Sequence, residues 1–138
     1  MQYHRSDYFH INPNLIQVIG DQDFSIELAG IITMIPKDII DNTLNNCVFL
    51  MLNEETNVSA GFIHNNFIKE KNLIAFYCMF YKQNRNEKVK MVLHEIAHYH
   101  LGHTGEELSE EEYKKEEQEA IDLVKKWISD CKKYYSQM

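Results

Sequence analysis

The chain has 138 residues, of which 14 are basic and 21 acidic, for a formal net charge of −7; 44% are hydrophobic and 25% charged. That length suits one domain with its own core, without disulfide staples. The acidic balance argues against a nucleic-acid partner, because phosphate binding draws on an excess of Lys and Arg.

Residues 1–138 therefore read as a single domain, with 1–14 a loose N-terminal arm. The opening "MQYHRSDYFHINPN" lacks the apolar stretch of a secretion signal. No apolar run approaches the ~20 residues that span a bilayer. Cys47, Cys78 and Cys131 are far apart and form no CxxC, as expected of reduced thiols in a cytosolic protein. A cytoplasmic location with no membrane partner is the expectation. The sequence sets no oligomeric state.

Taken in chain order, "NLIQVIGDQDFSIELAGIITMI" is apolar and fits a helix, a strand, or one of each. "PKDIIDNTLNN" reads as a short helix, with Pro36 at its first position, Asp38 in its first turn, and Ile39, Ile40 and Leu44 at helical spacing. "CVFLML" (47–52) is a compact apolar run, read as a buried strand. "SAGFIHNNF" (59–67) and "LIAFYCMFY" (73–81) flank the polar turn "KEKN" and predict a β-hairpin added to that strand. "QNRNEKVKMVLHEIAHYHLGHTG" then turns helical. Asn84 or Asn86 can cap it, Val89, Val92, Leu93, Ile96 and Ala97 form its apolar stripe, and Gly102 marks its stop. "SEEEYKKEEQEAIDLVKKWISDCKKYY" is a second long helix, with Ser109 and Glu112 spelling a capping box. The fold class is α+β, with a short, mostly antiparallel sheet packed on the two C-terminal helices.

Within the first of these helices, His94 and His98 are four residues apart and project from one face. Two imidazoles so placed can share a Zn²⁺ ion. Glu95, about 100° further round, can reach a water held by the metal without taking a coordination position. This is HExxH, two ligands and a general base. A third protein ligand is needed. The downstream pattern HExxHxxGxxH requires Gly at 101 and His at 104, whereas the chain has Leu101 and Thr104. His103 is thus out of register and is expected at the helix end, where the dipole favours it. His100, about 200° from His98, faces away.

The third ligand is therefore sought in the last helix. Ala120, Leu123, Val124, Trp127, Ile128 and Cys131, with Ile121, share a face. Projected at about 100° per residue, Glu117 lies near its centre, Glu116 at its margin, and Glu119 towards the polar side near Asp122 and Lys126. A carboxylate at the inward end of a buried stripe needs a partner, and a zinc ion would be one.

"HEIAHYHLGH" followed by "EQEAIDLV" resembles the ImmA/IrrE family of zinc metallopeptidases, over about residues 58–128. That family carries HExxH, often a further His near a Leu-Gly, and a second helix reading roughly E-x-E-A-N-x-F-A. The resemblance implies a zincin-like (gluzincin) domain with His94, His98 and Glu117 as metal ligands, Glu95 as the base, and an edge strand that holds an extended peptide. It also implies a protein or peptide substrate, such as a repressor. The chain departs from the pattern at Ile121, where the family has Asn, and at Leu123 and Val124 in place of Phe-Ala. Ile121 cannot hydrogen-bond a metal histidine.

The expected activity is zinc-dependent endopeptidase hydrolysis, with the substrate strand on one strand of the 59–81 hairpin. His64, Tyr77, Tyr81 and Tyr99 are candidates to stabilise the oxyanion. A zinc-stabilised binding or regulatory module with little turnover is the alternative. A metal-free interaction domain is a third reading.

Overall fold

The computed structural model describes residues 18–52, 60–68, 71–104 and 107–137. The expected arm, 1–14, lies outside them. The ambiguous segment before residue 36 holds one element of each kind, strand β1 (Val18–Ile19) and helix α1 (Gln22–Ile32). The switch occurs at Asp21, whose carboxylate accepts from the Phe24 N–H at 2.7 Å. That bond satisfies one of the backbone donors left over at a helix start. α1 then buries Phe24, Leu28, Ile31 and Ile32.

Helix α2 (Lys37–Asn46) begins one residue later than its proline suggests. Pro36 is the extended N-cap residue, not the first helical one. Strands β2 (Cys47–Leu52), β3 (Ala60–Ile68) and β4 (Lys71–Tyr77) follow. β3 and β4 are the expected antiparallel hairpin. β4 ends four residues earlier than predicted, because Cys78–Lys82 winds into a 3₁₀ turn. The turn drives Phe80 into the core, where its ring stands 5.6 Å from Phe24 and 5.4 Å from Phe76.

The sheet order is β1-β2-β4-β3. The expectation of a mostly antiparallel sheet is corrected here. β1 pairs with β2 and β2 with β4, both parallel, and only β3–β4 is antiparallel. Two physical causes operate. The chain from β1 to β2 passes through two helices, and strands joined by a helical crossover run parallel. The hairpin docks through β4, whose continuous apolar run Leu73–Phe76 is buried. A run with no polar face belongs in the middle of a sheet, between two neighbours. Docking through β4 makes β3 the edge strand.

Asn84 caps helix α3 (Arg85–His100), accepting from the Glu87 N–H at 2.9 Å. Ser109 caps α4 (Glu110–Ser136) with the reciprocal Glu112 bond of a capping box. The acidic first turn, Glu110–Glu112, suits the positive end of the helix dipole. α3 is the central helix, touching α1, α2, α4 and β3. Its face of Val89, Val92, Leu93, Ile96 and Ala97 packs with Ala120, Val124 and Trp127 of α4 in a single core cluster. Lys88 of α3 pairs with Glu27 of α1 at 2.9 Å and lies over the Phe80 ring. Among the described residues no helix is long and apolar enough to cross a membrane, and Cys47, Cys78 and Cys131 are free thiols.

Candidate metal site

The contact between α3 and α4 brings Glu117 to His94, 23 residues before it in the chain, and to His98. His94 Nε2 is 3.1 Å from one oxygen of Glu117. His98 Nε2 is 2.8 Å from the other oxygen, and 3.0 Å from His94 Nε2. The three form a group that can hold a metal ion. Their separations bear on the fit. Around a small divalent ion with bonds of about 2.1 Å, tetrahedral ligand atoms stand roughly 3.4 Å apart. The observed spacings lie a few tenths of an ångström inside that, so small side-chain movements suffice to admit an ion. All three groups are half-buried, and all three offer the nitrogen or oxygen donors such ions take.

The local reasons for this convergence are simple. Four residues along a helix return almost to the same face, so His94 and His98 stack, their rings 4.6 Å apart and nearly perpendicular. Glu117 lies one turn before the buried Ala120, at the open end of the α4 stripe, as the helical projection places it. Burial, and the neighbouring His94 ring, hold His98 below the ordinary histidine pKa. Its ring is therefore neutral at neutral pH, the form that binds metals. Glu95 is the neighbour of His94 in sequence. Burial, followed by the charge of Glu117, pushes its carboxyl up to about 7. A carboxyl near neutrality can carry a proton in either direction.

The other histidines divide. His100 is exposed, its ring 6.1 Å from that of Trp127 and off the site, as expected. His103 differs from expectation. It is 7% exposed, and its Nδ1 is 3.0 Å from His98 Nδ1. Its Nε2 is 3.1 Å from a Glu119 oxygen. Glu119 thus leaves the polar face to meet His103, while Asp122 pairs with Gln118 and Lys126 with Asp130. Ile121 is exposed and takes no part.

The turn after α3 explains His103. Gly102 takes φ +74, its N–H donates to the Tyr99 carbonyl at 3.1 Å, and the His103 N–H donates to the His98 carbonyl at 2.9 Å. This is a Schellman motif, which folds the residue after the glycine back onto the last helical turn. A Cβ at 102 meets nothing within 4 Å, so an alanine there is strained only by its backbone. Gly102→Ala is expected to destabilise the protein by about 1–2 kcal/mol. A fall in the urea midpoint with unchanged m-value checks this, and an unchanged midpoint contradicts it.

Of the oxyanion candidates, two are engaged elsewhere. The Tyr81 hydroxyl donates to Asp21 at 2.9 Å, with a pKa pushed up to about 12 by burial and by that bond. The Tyr99 hydroxyl donates to Asn42 at 2.9 Å. Tyr77 is half-buried at the end of β4, and the side chain of His64 lies outside those described. No family model, curated protein or solved structure matches the chain.

Proposed function

We propose that the protein is a zinc-dependent metalloendopeptidase with a zincin-like core, similar to the ImmA/IrrE family, acting on a protein or peptide substrate. The observation that carries the reading is the meeting of His94, His98 and Glu117 across α3 and α4, with the half-buried Glu95 next to the first of them. When bound, zinc would supply Lewis acidity, polarising the scissile carbonyl and acidifying water. His94, His98 and Glu117 would hold the ion. Glu95 takes the proton from the attacking water and passes it to the leaving amine, a task suited to a carboxyl whose pKa is about 7.

The sheet supports the same reading. β3 ends the strand order and touches α3. A peptide that adds to the outer side of β3 by backbone hydrogen bonding would run alongside the helix that carries His94 and Glu95. Affinity then comes largely from the backbone, and the pockets beside it set specificity.

The test is zinc content followed by digestion of a peptide pool, wild type beside His94→Ala. The expected result is one zinc per wild-type chain, cleavage that a chelator stops and added zinc restores, and neither metal nor cleavage in the variant. A metal-free wild type overturns the reading. A zinc-loaded wild type that cleaves nothing favours the zinc-stabilised binding or regulatory module instead.

A further inference from the structure

The side chains that bracket the metal group along α4 are apolar and face solvent. Tyr113 stands one turn before Glu117 and Ile121 one turn after it, and they are 56% and 38% exposed. Residues four apart on a helix are neighbours on its surface, about 5–6 Å between Cβ atoms. Around Ile121 the helix is otherwise polar. Gln118, Asp122 and Lys125 are its neighbours, the first two bonded to each other at 2.8 Å. On α3, half-buried Met91 stands one turn before His94 and Glu95. A singly exposed isoleucine is ordinary on a protein surface. Apolar side chains grouped around a few convergent polar groups are the usual lining of a ligand site.

Helix geometry limits what these side chains can touch. Four residues of α-helix cover about 6 Å along its axis. An extended peptide advances about 3.3 Å per residue. A peptide carbonyl set against His94, His98 and Glu117 therefore brings residues within about two positions of it to Tyr113 and Ile121.

We infer that Ile121 and Tyr113 are specificity-determining residues of the proposed site: they wall it with apolar surface and select peptides that carry a large apolar residue next to the cleaved bond. The inference rests on the metallopeptidase reading for cleavage, but not for peptide contact at this face. Moving an apolar substrate side chain out of water onto these surfaces is favourable. A charged one loses its water there and finds no hydrogen-bond partner on Ile121.

The test uses zinc-loaded protein and a randomised pool of synthetic peptides, with the cut positions read by mass spectrometry. The wild type is expected to cut beside Leu, Ile, Met and Phe. On the best-cut single peptide, Ile121→Ser should lower kcat/KM by about 10-fold. The loss should fall in KM with kcat little changed, because the contact is made alike before and during the reaction. Ile121→Leu should keep the wild-type values, and Ile121→Lys should move the preference to Asp and Glu. Zinc affinity should stay within a few-fold of wild type in all three. Tyr113→Ser, at the more exposed position, carries the test alone if Ile121→Ser fails to fold.

A preference unchanged in Ile121→Ser and Tyr113→Ser overturns the inference, as does a wild type that cuts without regard to apolar residues. Should the zinc-loaded wild type cut nothing, the peptidase reading fails and binding decides the inference. The Ile121 methyl resonance is then expected to shift with the peptide Ala-Ala-Leu-Ala-Ala and not with Ala-Ala-Asp-Ala-Ala. Equal shifts, or none, overturn it.

Discussion

Glu117→Gln is expected to weaken zinc binding by about 100-fold or more. Structural zinc sites with four ligands are worth about 10–16 kcal/mol, so roughly 3 kcal/mol attaches to each ligand, a factor of about 100 in affinity. The glutamine also removes the only negative charge among the three donors, which adds to the loss. The fold should tolerate the change, because the Glu117 side chain is 32% exposed and its neighbour Ala120 already closes the core. Chelator competition measures the effect, with circular dichroism to verify folding. Glu119→Gln, which touches His103 rather than the metal group and keeps an amide oxygen as acceptor, should cost much less. The reverse order would mean that Glu119, not Glu117, holds the ion.

Glu95→Gln should separate binding from turnover. Zinc affinity stays within a few-fold of wild type, while hydrolysis falls by about 10²–10⁴, the usual contribution of a positioned acid–base group. The same substitution is expected to stabilise the metal-free protein at high pH. Glu95 is raised from 4.5 to about 7 by burial and by Glu117. Its folded state therefore keeps a proton that the unfolded chain has already released. Its stabilising contribution is complete below about pH 4.5, is lost as the pH rises towards about 7, and leaves a constant deficit above that. The deficit is on the order of 3 kcal/mol. Metal-free Glu95→Gln should thus melt higher than wild type at about pH 8 and equally at about pH 4. Bound zinc favours the ionised carboxyl and should shrink the difference. A variant with unchanged turnover would remove Glu95 from the chemistry, and one with no stabilisation at high pH would show that its charge is well solvated.

The metal group and its helices were legible because each depends on local geometry. HExxH on an apolar-striped helix sets His94 and His98 one turn apart, wherever that helix packs. The α4 stripe marks its own inward face, and Glu117 lies on it at the first turn the core leaves open. Caps at Asn84 and Ser109 are read from side chains within three residues of the groups they satisfy. His103 was legible in principle. A glycine just past a helix signals a Schellman turn, and counting back from it leads to His98. Spacing motifs hid this, because they register histidines along a continuing helix, and the helix had ended.

Sheet pairing and the outer contact of the site were settled by the tertiary structure. Strand direction depends on which strand wins the central, doubly buried place, and that competition involves residues from Val18 to Tyr77 at once. Glu119 reads as a polar-face residue on α4 alone. Only the approach of α4 to the end of α3 brings His103 within 3.1 Å and turns that carboxylate towards the site. By itself the sequence determined two helices, two histidines and a glutamate with the spacing to meet a metal, because a helix repeats on a fixed local period. The crossing of those helices decided which groups stand behind the site, because such contacts join residues whose separation in the chain has no period to read.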